Sequence, residues 1–256
     1  MRTITTFCLM LTMLVTTNLV AQQTVYVKAA GTGDGTTEEL AYGNFGEALG
    51  QITTEGDILR VIGDMSLSGG QNLNSKTFAF TIEGDSDLST LTGADGITRM
   101  FTINSGSGHN VTFKNLNITG ATNSTGNGAV IGVFTNSAVT IDNCVFNNNS
   151  TIGNGGAIFA NLGTISITNT LFEANSAATK GGAIYSNNAS FTITGSTFYA
   201  NATTDTSGGG AALYVAGSGS TNSITNCTFF ENTVGSLNNQ DYGAIRTDNG
   251  NTTVTN

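Results

Sequence analysis

Proline and tryptophan are absent from this sequence, and basic residues are scarce: 8 lysines and arginines stand against 17 acidic residues in 256. The net charge is −9, and the basic residues are scattered along the chain rather than clustered. Nucleic-acid binding requires a basic stripe that neutralises phosphates, so nucleic acid is excluded as an expected partner. Glycine, asparagine, threonine and serine are abundant instead, which is typical of short β-strands separated by many turns.

Long apolar runs are also missing, except at the N-terminus. Met1 and Arg2 precede a mostly apolar segment that ends at Ala21, as in a secretory signal peptide. Threonines and Asn18 interrupt this segment, whereas a transmembrane helix needs about 20 strongly apolar residues. We therefore expect residues 1–21 to be removed. The mature chain is then expected to have no transmembrane span and to be secreted, either to the extracellular space or to the outer-membrane surface.

A short phrase recurs in the second half of the chain. Four phenylalanines mark it, and an asparagine stands three positions after each: Phe146, Phe172, Phe198 and Phe229, with Asn149, Asn175, Asn201 and Asn232. A period of about 26 residues, with extra residues confined to the last interval, is the signature of a solenoid. The phrases "TISIT" and "FTITG" alternate apolar and polar residues, which predicts strands with one buried face. Recurring Gly-Gly pairs disfavour a helical solenoid.

Stacking of successive coils explains why the same residues recur in each repeat. Three short strands and three turns in each period describe one coil of a parallel β-helix. Each phenylalanine is then expected to stack on that of the next coil, about 4.8 Å away, and each asparagine to bond neighbouring coils. The same argument separates Cys144 and Cys227 by three coils, roughly 14 Å. A disulfide tolerates Cα separations only up to about 7 Å, so two free thiols are predicted.

The rest of the chain divides into two regions. Residues 22–56 contain a strand, a glycine-rich loop, and apolar residues at helical spacing from Phe45 to Ile52, which predict a short helix that caps the first coil. Residues 57–256 are expected to form the β-helix, with about seven or eight coils predicted from the period. The chain stops soon after a new coil begins with "NGNTTVTN". A missing C-terminal region, or a partner that covers the last coil, is therefore expected.

The repeated words resemble a known family. "GGAIFA" and "GGAIYS", together with "FNNN", "FEAN", "FYAN" and "FFEN", are similar to the repeats of polymorphic outer-membrane proteins, within the pectin-lyase-like superfamily of right-handed parallel β-helices. The resemblance implies an all-β, right-handed parallel β-helix at the cell surface or secreted from the cell. It also implies a non-catalytic role in binding or adhesion, with carbohydrate or a surface protein of a host or neighbouring cell as the partner.

An enzyme is the alternative, because the same superfamily contains polysaccharide lyases and glycoside hydrolases. Lyases of this fold commonly use an acidic calcium cluster with a basic residue, and hydrolases use close carboxylate pairs. Glu173 and Glu231 are expected to share a column two coils apart, about 10 Å, with Tyr199 between them. Asp85, Asp87 and Asp95 could hold a structural calcium ion, although their spacing matches no motif. No catalytic residue, metal ligand or cofactor is assigned, and the sole histidine, His109, is expected in a surface loop.

The candidate ligand-binding residues form one outward column after the Gly-Gly words: Phe159, Tyr185, Tyr214 and Arg246. A position that accepts arginine is expected to face solvent, and stacked aromatic rings could bind sugar rings or an apolar partner. The alternative interpretation is that the rings only stabilise the sheet. Outward threonines resemble those of ice-binding β-solenoids, but their positions in the sequence do not predict a long regular array.

Overall fold

The structure is a computed structural model that describes residues 21–93, 96, 99–104, 109–204, 209–218, 220–235 and 243–256. Parallel strands dominate these residues, and they are joined into four stacked sheets with one short helix near the N-terminus. The prediction of an all-β parallel solenoid is therefore confirmed. The handedness of the coil stays a prediction from the resemblance. The predicted signal peptide lies outside the described residues, except for Ala21.

In chain order, the elements of the first half are β1 (Thr24–Lys28), α1 (Phe45–Gly50), β2 (Ile58–Ile62), β3 (Met65–Leu67), β4 (Gln71–Asn72), β5 (Phe80–Glu83), β6 (Ser89–Gly93), β7 (Phe101–Ile103), β8 (Asn110–Lys114), β9 (Leu116–Thr119), β10 (Thr122–Asn123), β11 (Ile131–Val133), β12 (Ala138–Asp142), β13 (Val145–Asn147) and β14 (Ser150–Thr151). Those of the second half are β15 (Ile158–Asn161), β16 (Thr164–Thr168), β17 (Leu171–Glu173), β18 (Ser176–Ala177), β19 (Ile184–Asn187), β20 (Ser190–Thr194), β21 (Thr197–Tyr199), β22 (Ala202–Thr203), β23 (Leu213–Ala216), β24 (Thr221–Thr225), β25 (Thr228–Phe230), β26 (Thr233–Val234), β27 (Ile245–Asp248) and β28 (Asn251–Thr255).

From β8 onward, each complete coil contributes one strand to each sheet, whereas the described residues of the coils of β2–β4 and β5–β7 include no strand in the fourth sheet. Neighbouring strands of a sheet therefore come from successive coils. Sheet A is β1-β2-β5-β8-β12-β16-β20-β24-β28, and sheet B is β3-β6-β9-β13-β17-β21-β25. Sheet C is β4-β7-β11-β15-β19-β23-β27, and the short sheet D is β10-β14-β18-β22-β26. Because every pairing is parallel, equivalent residues of successive coils lie in straight columns.

The number of turns is slightly lower than predicted. Seven strands in sheets B and C are separated by six coil-to-coil steps, so the solenoid makes about six complete turns rather than seven or eight. The reason is that several coils are longer than the regular repeat that separates the paired residues Ile141 and Ile167. The paired residues Ile82 and Phe113, for example, are farther apart in the sequence than that isoleucine pair.

The N-terminal region packs onto the core. In α1, the side chain of Asn44 caps the helix by accepting a hydrogen bond from the backbone N–H of Glu47 at 3.0 Å. The helix buries Phe45, whose ring centroid lies 5.9 Å from that of Phe101 in the first part of the solenoid. Of the described residues, none belongs to a helix long and apolar enough to cross a membrane.

Apolar columns fill the interior. Period-two alternation turns every second residue of a sheet A strand inward and its neighbours outward. The inward residues include one from each coil with at most 1% exposure: Leu59, Ile82, Phe113, Ile141, Ile167, Ile193 and Ile224. Sheet B contributes the repeat phenylalanines. Their ring centroids are 5.0 Å apart between Phe146 and Phe172, 4.8 Å between Phe172 and Phe198, and 4.6 Å between Phe198 and Phe229. These stacked rings form a continuous apolar column along the solenoid axis.

The repeat asparagines form a second column, which we call the asparagine ladder: Asn149, Asn175, Asn201 and Asn232. The Oδ1 of Asn175 accepts two hydrogen bonds from Asn149, one from its backbone N–H at 3.2 Å and one from the side-chain amide of Asn149 at 3.0 Å. The side-chain amide of Asn175 also donates to the carbonyl of Phe146 at 2.9 Å. The first three members are fully buried, so the ladder satisfies backbone groups in the core that would otherwise lack partners.

The recurring Gly-Gly pairs form the turns that direct the chain into the strands of sheet C. Gly181 has a φ of +65°, and a Cβ there would collide with the carbonyl oxygen of Ile184. A Cβ on Gly182 would collide with the carbonyl oxygen of Ala211 in the next coil. Both positions therefore require glycine, one for its left-handed backbone and one for close coil contact.

Both cysteines of the described residues are free thiols, as predicted. Cys144 is buried, and burial raises the pKa of its thiol to about 12. This pKa keeps the Cys144 thiol protonated and unreactive at neutral pH.

We expect Asn175→Ala to lower the free energy of unfolding by at least about 3 kcal/mol, because three buried polar groups in the preceding coil lose their partner. Asn147→Ala is the matched control. Asn147 lies in the same repeat on the outward side of β13, where its amide makes one hydrogen bond to Asn117. Urea denaturation of both variants measures the difference, and equal losses would contradict a structural role of the ladder.

Asp57 fixes the start of the first coil. Its carboxylate is fully buried and accepts the backbone N–H groups of Gln23, Thr53 and Thr54 at 3.1, 2.9 and 2.9 Å. The hydroxyl of Thr54 donates to it at 2.8 Å. Burial alone would raise the pKa of Asp57, but these hydrogen bonds outweigh burial and lower the pKa from 3.8 to about 2.

A carboxyl whose pKa is lowered by folding stabilises the protein above its unfolded pKa, and this contribution disappears as the pH falls through the folded value. For Asp57, the window runs from 3.8 down to about 2. We expect the wild type to lose about 2 kcal/mol of unfolding free energy across this window through Asp57. Asp57→Asn should be less stable at pH 7 and less dependent on pH. Denaturation measures the unfolding free energy of both proteins between pH 5 and pH 2. The same loss of unfolding free energy in the wild type and in Asp57→Asn across this range would contradict the assignment.

Candidate functional site

The outward column predicted on sheet C is brought together by the strand register. Phe159 pairs with Tyr185, Tyr185 with Tyr214, and Tyr214 with Arg246. The preceding position in the column is Gly132, which pairs with Phe159. The four predicted residues therefore lie side by side across β15, β19, β23 and β27. We call Phe159, Tyr185 and Tyr214 the aromatic column.

The rings of the aromatic column are stacked face to face. Phe159 and Tyr185 have ring centroids 5.5 Å apart and planes within 1° of each other. Tyr185 and Tyr214 have centroids 5.5 Å apart and planes within 12°. The parallel backbone ladder imposes this arrangement, because it repeats each side chain at the interstrand spacing. Phe159 and Tyr185 remain partly exposed.

Tyr214 differs from the prediction that this column faces solvent, since only 1% of its surface is exposed. The ammonium of Lys180 lies 4.5 Å from its ring centroid, and the guanidinium carbon of Arg246 lies 5.8 Å from it. Its hydroxyl accepts a hydrogen bond from Lys180 at 3.0 Å and donates one to the carboxylate of Asp248. Tyr214 therefore organises charged neighbours and does not offer its ring to a ligand. The outward position alone did not predict these neighbours.

The charges around Tyr214 support one another. The hydrogen bond with Tyr214 is the main cause that raises the pKa of Lys180. The hydrogen bond from the same hydroxyl, followed by that from Arg246, lowers the pKa of Asp248. Arg246 donates to Asp248 through Nε at 3.0 Å. At neutral pH this end of the column therefore holds two positive charges and one negative charge.

The other end of the column also carries a cation, which the sequence did not predict. The guanidinium of Arg99 lies over the backbone of Gly132, where a Cβ would be only 2.6 Å from its atoms. It lies 5.1 Å from the ring centroid of Phe134, and that ring lies 5.9 Å from Phe159. Arg99 is held by the carbonyl oxygens of Gly128, at 3.2 Å, and Asn127. In the sequence, the one sign of this cation was Gly132, a glycine at a position that is aromatic in the next three coils.

A second aromatic pair lies outward on sheet B. Tyr199 and Phe230 stack with centroids 4.4 Å apart, and Phe230 is 45% exposed. This register corrects the predicted column of Glu173, Tyr199 and Glu231, because Phe230 pairs with Tyr199. Glu231 follows the strand in a left-handed conformation, with a φ of +53°. The two glutamates therefore do not form the stacked pair that the sequence predicted.

The remaining candidates for chemistry do not converge. Of the residues that the structure describes, no three or more His, Cys, Asp or Glu side chains are grouped to hold a metal ion. Asp85 accepts the backbone N–H of Gly63 at 3.2 Å, and Asp95 lies outside the described residues. His109 was expected in a surface loop, but it is only 6% exposed, and burial lowers its pKa. The packing of the neighbouring coils, which local sequence does not show, buries this histidine.

Comparison with known proteins identifies the repeat. The family model of the Chlamydia polymorphic membrane protein repeat matches residues 143–161 and 169–187, which confirms the resemblance of the repeated words. No curated protein and no solved structure gives a significant match. The repeat and the parallel β-solenoid together indicate a protein of the cell surface or outer membrane.

We expect Tyr214→Phe to lower the free energy of unfolding by about 1–2 kcal/mol, because the hydroxyl bridges two charged groups. Tyr185→Phe is the matched control, since the hydroxyl of Tyr185 has no hydrogen-bond partner in the described part of the chain. Tyr214→Phe should also raise the pKa of Asp248, which NMR titration measures. An unchanged Asp248 pKa, or equal destabilisation by both variants, would contradict the bridging role.

Proposed function

We propose that the protein is a secreted, non-catalytic adhesion module that binds acidic polysaccharides through the aromatic column of sheet C. One observation carries this proposal: partly exposed, stacked rings with parallel planes are flanked at both ends by cations in a chain that is otherwise acidic. Polysaccharide binding requires both parts of this surface. The rings hold the sugar, and the cations select for negative charge.

The ring geometry fits a sugar chain. Phe159 and Tyr185 lie in nearly the same orientation, with planes 1° apart, on a sheet that the core holds rigid. Their exposed edges offer apolar area next to the polar hydroxyl of Tyr185, and aromatic side chains of this kind are enriched where one end is apolar and the other is wet. Because the rings are fixed before binding, a ligand loses little affinity to their ordering.

The charge distribution favours an anionic ligand. Excluding Arg2, the chain contains seven lysines and arginines, and three of them border the aromatic column: Arg99, Lys180 and Arg246. Within the described residues, Asp248 is the carboxylate that contacts this group. The column is therefore locally positive in a protein of net charge −9. A local positive patch attracts carboxylate or sulfate groups, and the attraction weakens as salt is added.

The adhesion role rests on the repeat and on the shape of the fold. The polymorphic membrane protein repeat supports a location at the cell surface, and the predicted signal peptide supports export. A solenoid presents long, continuous faces, which suit the binding of extended polymers. The rigid stack of coils carries these faces without a need for chemical turnover.

The test is binding of the purified protein to a polysaccharide panel that contains polygalacturonate, alginate and heparin, with uncharged dextran and amylose as controls. We expect binding to the acidic members, and about tenfold weaker affinity after Tyr185→Ala, equivalent to about 1.4 kcal/mol. Tyr199→Ala is the matched control, because it removes an outward ring from sheet B in the same repeat. Added salt should weaken wild-type binding.

Three results would contradict the proposal. Equal binding to charged and uncharged polymers would remove the role of the cations. Loss of binding in Tyr199→Ala but not in Tyr185→Ala would place the ligand on sheet B. Release of unsaturated or reducing ends from any polymer, measured with calcium present and absent, would show an enzyme instead.

A further inference from the structure

The outward face of sheet A carries a regular grid of small hydroxyl side chains across its last four strands. We call this surface the threonine face; it consists of the outward residues of β16, β20, β24 and β28, which are Thr164, Ser166, Thr168, Ser190, Thr192, Thr194, Thr221, Ser223, Thr225, Asn251, Thr253 and Thr255. Eleven of the twelve are threonine or serine. This finding corrects the expectation that outward threonines form no long regular array.

Strand pairing aligns these residues in two directions. One column runs Thr168, Thr194, Thr225 and Thr255, and the next runs Ser166, Thr192, Ser223 and Thr253. Within a column the spacing is the interstrand distance of about 4.8 Å, and along each strand outward residues are about 6.6 Å apart. The alignment is not visible in the sequence, because the coils here differ in length: the paired residues Ile193 and Ile224 are farther apart in the sequence than Ile167 and Ile193.

The threonine face is uncharged. None of its twelve residues is acidic or basic, in a chain of net charge −9. The column of Thr168 is charged toward the N-terminus, where Glu83 pairs with Lys114 and Lys114 with Asp142. The neutral grid therefore begins at β16 and continues to β28.

Several hydroxyls of the face are free to bind an external partner. In the described part of the chain, those of Ser166, Thr192 and Thr194 have no hydrogen-bond partner. Thr192 is exposed at the centre of the grid. Each threonine offers a hydroxyl that hydrogen-bonds water beside a methyl group that water surrounds without bonding. The stacked core beneath, which includes the buried Ile167 and Ile193, holds this pattern rigid.

We infer that the threonine face binds ice. Ice is an uncharged solid whose surface repeats hydrogen-bonding groups in two dimensions, and the face is an uncharged grid that repeats hydroxyls in two dimensions. A dissolved polymer repeats along one direction only and does not use the second. A crystalline polysaccharide repeats in two, but none of the twelve residues is aromatic and able to stack on a sugar ring. This inference is independent of the binding proposed for sheet C, because it concerns a different sheet.

The test compares wild-type protein with Thr192→Lys in assays of ice-crystal shaping, ice-recrystallisation inhibition and partition into growing ice. Lysine at the centre of the grid adds a long charged side chain that prevents flat contact with the lattice. Thr228→Lys is the matched control, because Thr228 is also an exposed outward threonine but lies on sheet B. Circular dichroism and the denaturation midpoint establish that both variants fold.

We expect the wild type and Thr228→Lys to shape ice and enter it, and Thr192→Lys to lose both activities. Thr192→Val, which retains size and a methyl group, provides a second variant with minimal disturbance of folding and should lose part of the activity. Absence of ice activity in the wild type would overturn the inference, as would equal activity of all the variants. Binding to crystalline cellulose or chitin that Thr192→Lys abolishes, without ice activity, would overturn it in favour of a polysaccharide.

Discussion

The structure depends on the register between successive coils, and the asparagine ladder is the interaction that ties this register to the sequence. A buried asparagine accepts two hydrogen bonds from the coil before it and returns its own amide to that coil's neighbouring carbonyl, as Asn175 does with Asn149 and Phe146. A coil displaced by one residue would leave these polar groups buried without partners. Because side chains alternate between faces, the same displacement would also exchange inward and outward residues.

Once the register is fixed, the outward faces follow from it and can diverge. Sheet C places Tyr185 and its neighbours in a stack bordered by cations, whereas sheet A repeats small hydroxyl residues without charge. Both surfaces lie over the same apolar core. Substitutions that change an outward residue therefore leave the core intact, which allows one solenoid to carry surfaces of different chemistry.

The fold could be predicted because its determinants repeat at a constant interval. Phe172 and Asn175 recur one regular period later as Phe198 and Asn201, so their columns are visible without a structure. The site was predicted less completely than the fold, because the sequence did not show which charged side chains surround the aromatic column. Arg99 lies next to the aromatic column but belongs to none of the repeated sequence motifs. The burial of Tyr214 depends on Lys180 in the preceding coil and on Asp248 in the following coil. Such contacts depend on side-chain reach between coils, which local patterns do not record.

The central claim is that the ladder holds the coils together, and amide hydrogen exchange measured by NMR tests it most directly. The backbone N–H groups of Asn149, Asn175 and Asn201 each donate to a side-chain oxygen of the next coil rather than to a backbone carbonyl. The account predicts that these three amides are protected as strongly as strand amides of sheet A, such as that of Ile167. Exchange at the rate of exposed turn amides would contradict it, because the ladder would then open without unfolding the coils.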